Sequence, residues 1–173
     1  MKATILAAAL PLLFSVGCTS RQSEQLTQQQ TDKIKSEVKA VGDSLMARFA
    51  RLDGPGTFQF YANTPHWVMF NADGTQWDYE TTRKGMTDSV SAFASYKYHT
   101  LHEDYWVVNK DMVIGASVIK DEYTMKSGDK MTYDQHAYTV IFERIAGQWK
   151  VVWSQDSGTP VIQKTVAAHR PRH

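Results

Sequence analysis

Cysteine is nearly missing from this chain: one among 173 residues, at position 18. A lone thiol cannot close an intramolecular disulfide, so the folded part must be held by its core alone. Charge of one sign is also missing. With 19 basic and 18 acidic residues the formal net charge is +1, which leaves no surplus of cations to neutralise a row of phosphates and excludes nucleic acid as an expected partner. There is no paired Cys and no clustered carboxylate pattern, and the one H-x-x-x-H spacing, His169 and His173, falls in a tail that reads as solvated, so no metal is expected. A Gly-rich phosphate loop and a nucleophile elbow are absent too, and with them the reason to expect a nucleotide cofactor or a serine nucleophile. No internal repeat divides the chain.

What is present is an ordinary globular composition, 42% hydrophobic, 12% aromatic and 21% charged, with the length of one domain. Lys2 precedes an apolar stretch from Ala3 to Val16 that is too short to span a membrane and reads as an export signal over residues 1–17. Val16, Gly17 and Cys18 resemble the lipobox of bacterial lipoproteins, although Ser15 stands where that family usually has Leu. The resemblance implies cleavage before Cys18 and a lipid on its sulfur. It also implies outer-membrane attachment facing the periplasm, because Thr19 and Ser20 are not acidic; a secreted protein is the alternative. Residues 18–31 are polar and Gln-rich and suit a flexible tether, and residues 163–173, with His169 and His173, suit a solvated tail.

Between them, residues 32–162 carry the periodic patterns. Ile34, Val38, Val41, Leu45 and Phe49 form one stripe of an amphipathic helix that Gly54-Pro55-Gly56 ends. Ala72-Asp73-Gly74-Thr75 is the turn of a first hairpin, and Met86, Val90 and Phe93 predict a second helix over 82–94. Four long strands follow, at 96–109, 112–125, 131–144 and 148–155, rich in Val, Ile, Tyr, Thr and Trp and separated by short turns. Long consecutive strands with tight turns are antiparallel neighbours, so the class is α+β.

This order, with GDSLMARFA at 42–50, NADGTQWDYE at 71–80 and the closing FERIAGQWKVVWSQDS, resembles the SnoaL-like and ketosteroid-isomerase-like superfamily, also called nuclear transport factor 2-like. Arg144, Gly147, Trp149, Lys150, Val151 and Ser157 fit that family's closing pattern. The resemblance implies a curved antiparallel sheet wrapped on helices into a cone with a pocket inside. It implies no single reaction, since a fold hosts many functions.

Two-residue turns at Lys110-Asp111, Gly128-Asp129 and Ala146-Gly147 would set the register, and register sets the face of every side chain. On that basis the concave face gathers Trp106, Ile119, Tyr138, Val140, Phe142, Trp149, Val151 and Trp153. His102, Asp104, Asp121, His136 and Gln155 lie toward one end of it. The other face takes Tyr105, Val107, Ile114, Val118, Thr139, Ile141 and Val152, and suits packing on a second copy. Asp121 directly opposite His136 is an acid and base couple, since a carboxylate beside an imidazole in an apolar cleft can shift toward neutral pKa. Tyr138 and His102 are candidate donors to an oxyanion. Tyr61 and Trp67, at the first hairpin, could close the pocket mouth over a flat ligand, joined by Trp106, Tyr138, Trp153 and Gln155. Many relatives carry His where this chain has Gln155, and an amide takes up no proton near neutral pH. The reading that follows is a lipid-tethered domain binding a small apolar or aromatic molecule, with an isomerase, cyclase or dehydratase using Asp121 and His136 as the alternative, and partner docking as the third.

Overall fold

A computed structural model describes residues 25–165. The stretch read as an export signal, Cys18, His169 and His173 lie outside the described residues. Helix α1 (Gln28–Ala50) starts four residues before the expected Asp32, because Thr27 builds a capping box: its Oγ1 accepts from Gln30 N at 3.2 Å and its own N–H donates to Gln30 Oε1 at 2.8 Å. The last five residues of the predicted tether are therefore helix or cap. Gly54-Pro55-Gly56 does stop α1, but it also opens a short helix, α2 (Gly54–Phe58), capped by Asp53.

Strands β1 (Val68–Phe70) and β2 (Gln76–Trp77) form the expected hairpin around Gly74. Helix α3 (Tyr79–Ala92) begins three residues before the expected Thr82, because Asp78 accepts from Thr81 N at 2.7 Å and fixes the first turn. The meander follows as β3 (Phe93–Asn109), β4 (Met112–Met125), β5 (Lys130–Ile145) and β6 (Gln148–Ser157). A short β7 (Val161–Gln163), which no pattern announced, pairs with β5. The sheet order is β2-β1-β6-β5-β4-β3. All pairings are antiparallel except β1 on β6, and that parallel pair returns the first hairpin to the end of the meander.

Curvature comes from unmatched residues. β3 is longer than β4 because Ala94, Leu101 and Val108 each stand unopposed, and every such bulge bends and twists the strand. A further bulge on β5 lies between Tyr133 and His136, and on β6 Val152 is unopposed between Val151, which pairs with Phe142, and Trp153, which pairs with Ile141. The sheet curls over α1, whose stripe is shared by two clusters. Ile34 and Val38 pack with Trp67, Val113, Phe142, Trp149 and Val151, while Met46 and Phe49 pack with Phe93, Tyr96 and Tyr123. Between these clusters lies an interior cavity of about 370 Å3.

The bulges correct the face assignments of seven residues. Beyond Val108 the parity of β3 is reversed, so Trp106 and His102 face outward, Trp106 being 52% exposed, and Tyr105 and Glu103 face the cavity instead. Leu101 reverses it again, which is why Thr100 faces inward. Beyond Val152 the same happens on β6: Trp153 and Gln155 face outward, and Ser154 and Asp156 take the concave side. Asp104 moves outward with Trp106, and Val107 packs into the core. Ile114, Val118, Thr139 and Ile141 stay on the outer face in register with these residues.

Candidate functional site

The cavity is walled by β3 to β6 and closed by α1 and α3. Its polar centre sits where β4, β5 and β6 run side by side. Asp121 and His136 are not directly opposite, since Ile119 faces His136 and Asp121 faces Tyr133. The turn between β4 and β5 is longer than two residues, and the register moves by two rather than one near His136, so parity survives and both side chains point inward.

They meet closely. Asp121, wholly buried, accepts from His136 Nδ1 at 2.7 Å through Oδ2 and from the Tyr96 hydroxyl at 2.5 Å through Oδ1. Tyr138 and Tyr123 hydroxyls approach Oδ2 at 3.4 and 3.5 Å. On its other side His136 Nε2 lies 3.3 Å from Asp156 Oδ2. The imidazole thus bridges two carboxylates, with Tyr138 Oη 2.7 Å from Nδ1 and the Tyr133 ring stacked on it at 4.0 Å.

The electrostatics follow from this packing. Burial opposes the imidazolium of His136, but hydrogen bonds to Asp121 and Asp156 and their two negative charges together outweigh it, and the pKa lies above the ordinary 6.5. Burial is also the main reason the hydroxyls of Tyr96, Tyr123 and Tyr138 are pushed well up, with the charge of Asp121 adding to it. All three stay protonated and act as donors. Tyr105, further along the wall, is pushed up to about 12 by burial and by Glu103. Among the described residues, no three His, Cys, Asp or Glu side chains are arranged to hold a metal ion.

Of the residues singled out from sequence, Asp121, His136 and Tyr138 are together, and Tyr61 lines the cavity. Trp67 does not: it is buried behind Tyr61, ring centroids 5.5 Å apart, with Nε1 donating to Thr82 Oγ1 at 3.2 Å, so it is core rather than mouth. His102, Trp106, Trp153 and Gln155 lie on the outer face, away from the site. Sequence reasoning missed Tyr96, Tyr123 and Asp156. Tyr96 and Tyr123 are cross-strand partners, a pairing visible once β3 and β4 are aligned with the bulges included. Asp156 was hidden by the slip at Val152.

A comparison with known families matches residues 36–164 to DUF3804, described as a protein of unknown function. No functionally curated protein matches the chain. Among solved structures, it is similar to a protein of Novosphingobium aromaticivorans provisionally assigned as a scytalone dehydratase. The TM-score is 0.71 and the identity 10%, over 85% of this chain and 99% of that one. A hexachlorocyclohexane dehydrochlorinase of Novosphingobium barchaimii aligns with TM-score 0.65 and 9% identity over 84% and 100%. An NTF2-like protein of unknown function from Pseudomonas putida aligns with TM-score 0.62 and 17% identity over 73% and 87%. These likenesses carry the fold alone, and that fold is the NTF2-like cone.

Proposed function

The chain belongs to the DUF3804 family of proteins of unknown function, and on that footing we propose that it binds a small, largely apolar ring compound in its cone and moves a proton on it in an elimination or isomerisation. The observation that carries this reading is His136 held between Asp121 and Asp156 in the wall of a 370 Å3 cavity, within the range of small-molecule sites. The objection from Gln155 loses its force, because the residue set against the imidazole is Asp156.

In an elimination of water, Asp156 takes the proton from carbon, His136 Nε2 donates its proton to the departing hydroxyl, and the C–O bond breaks as the double bond forms. Asp156 then returns its proton to His136 across the 3.3 Å contact, which restores the starting state. Tyr138 donates to an oxyanion formed on the way. Asp121, which touches no ligand, is a positioning residue that fixes the ring and its charge.

The test is NMR of deuterium uptake and water loss from a panel of cyclic ketones and β-hydroxyketones in D2O. The wild-type chain is expected to turn over at least one, and His136→Gln to lose roughly 10²–10⁴ in rate, the usual size of a general acid and base contribution. Undiminished exchange in the variant would sink the chemistry and leave a binding domain, the reading favoured by the fact that both His136 nitrogens already have partners.

Attachment by a lipid on Cys18 and pairing of two copies belong to the same proposal. Trp106, Ile114, Ile141 and Trp153 form an apolar row across four strands of the outer face, on which a second copy would sit. Native mass spectrometry of the chain extracted from host membranes is expected to show dimers with an acylated Cys18 at each N-terminus. Unmodified monomers would count against both.

A further inference from the structure

Ser154 and Asp156 share the concave face of β6, two residues apart, and both line the cavity. Each has one buried oxygen with no partner among the described residues, Ser154 Oγ and Asp156 Oδ1. Ser154 is only 7% exposed, so its hydroxyl is not one that bulk water serves. A buried polar atom left unpaired has lost its hydration without compensation, at greater cost if it is charged, and native structures contain few of them. Two such atoms, two residues apart on the strand face that lines the cavity, are unfilled hydrogen-bonding positions behind its surface.

The charges around them narrow what fits. Among the described residues, the cavity lining holds no Lys or Arg. Its carboxylates Asp43 and Glu103 already pair with Lys39, whereas Asp121 and Asp156 share the single imidazole of His136. At this end of the cavity the balance is one positive charge against two negative. An anionic head would meet Asp156 with nothing to neutralise it, and a hydrocarbon would leave both oxygens unpaired. The rest of the wall is aromatic and aliphatic and suits a ring body.

We infer that the ligand of this cavity presents an O–H or N–H donor to Ser154 Oγ and Asp156 Oδ1, on a ring body that carries no negative charge. The inference rests on the reading of the cavity as a ligand site. It assigns Ser154 and the free oxygen of Asp156 to head-group recognition.

The probes are four indanes that differ only in the head at carbon 1: 1-indanol, 1-aminoindane, indane itself and indane-1-carboxylate, each titrated into the folded chain by NMR. The alcohol or the amine is expected to bind at least ten-fold more tightly than indane, with the carboxylate weakest, and their order tells whether the natural head is hydroxyl or ammonium. Ser154→Ala should reduce that preference to within about three-fold, and Asp156→Asn should remove the discrimination against the carboxylate, with circular dichroism reporting that each variant is folded. Indane binding as tightly as the alcohol and the amine would overturn the inference while leaving the cavity a ligand site, the oxygens then being served by water. The carboxylate binding tightest would overturn it as well. Binding of none of the four to the wild-type chain would overturn both the inference and the reading it rests on.

Discussion

Replacing Asp121 by Ala is expected to cost about 3–5 kcal/mol of folding stability, the range for removing one partner of a buried, hydrogen-bonded charge pair. The loss is large because one carboxylate serves four side chains. Tyr96, Tyr123, Tyr138 and His136 all direct donors at it, and it is wholly buried. In the variant three hydroxyls and one ring nitrogen lose their acceptor inside the protein. For a domain of this length each kcal/mol moves the midpoint by roughly 2–4 °C, so the melting temperature should fall by on the order of 10 °C. Thermal unfolding followed by circular dichroism measures it, and a fall of under 2 °C would mean that the cluster contributes little to stability.

The same cluster sets a pH dependence. His136 is faced by Asp121, Asp156, Tyr133 and Tyr138, and its folded pKa is raised above 6.5. A group that holds its proton more tightly when folded contributes fully below its unfolded pKa of about 6.5, and that contribution is lost as pH rises through the folded value. Wild-type stability should therefore decline on the alkaline side of 6.5, and Asp121→Asn, which removes one of the two carboxylates, should shorten that decline.

Most of the architecture was legible because it rests on local signals. The stripe from Ile34 to Phe49, the turn at Gly74, the strands of the meander and the Ala146-Gly147 turn are each written within a few residues, and β4 runs from Met112 to Met125 as expected. Ala146 and Gly147 both adopt positive φ, as the tight hairpin turn requires. The site was only half legible because side-chain facing accumulates along a strand from the turn outward. One unopposed residue inverts everything beyond it. Arg144, Phe142, Trp149 and Val151 lie before the bulge on β6 and pair as read; Trp153 and Gln155 lie after it and do not. Asp121 and His136 came together because the error between β4 and β5 was even. No pattern in KVVWSQDS distinguishes Val152 as the extra residue, since Val is at home anywhere in a strand. The bulge is set by tertiary partners: Val151 N donates to Phe60 O at 2.8 Å and Val151 O accepts from Ala62 N at 3.0 Å, while Trp153 to Gln155 pair with β1.

Deleting Val152 tests that account. Val151 would then be followed directly by Trp153, so the strand alternation runs on with Trp153 opposite Ile141, Ser154 opposite Val140 and Asp156 opposite Tyr138, the pairings they already make. The cavity face of β6 is kept, and His136 keeps Asp156 as its second carboxylate. The cost falls on the other edge and in the core. β6 shortens by about 3.3 Å between Val151, which is hydrogen-bonded to Phe60 and Ala62, and Trp153, which pairs with Val68, so one of those attachments must give way. Two backbone hydrogen bonds contribute about 1–3 kcal/mol together, and the buried Val152 side chain about 1.5–3 kcal/mol. The deletion variant is thus expected to keep a cooperative transition lowered by on the order of 10 °C, with the His136 imidazole still titrating above 6.5 by NMR. Melting within 3 °C of the wild-type chain would mean that neither attachment sets the bulge. Loss of the raised His136 value would mean that Ser154 and Asp156 owe their place in the cavity to Val152 itself.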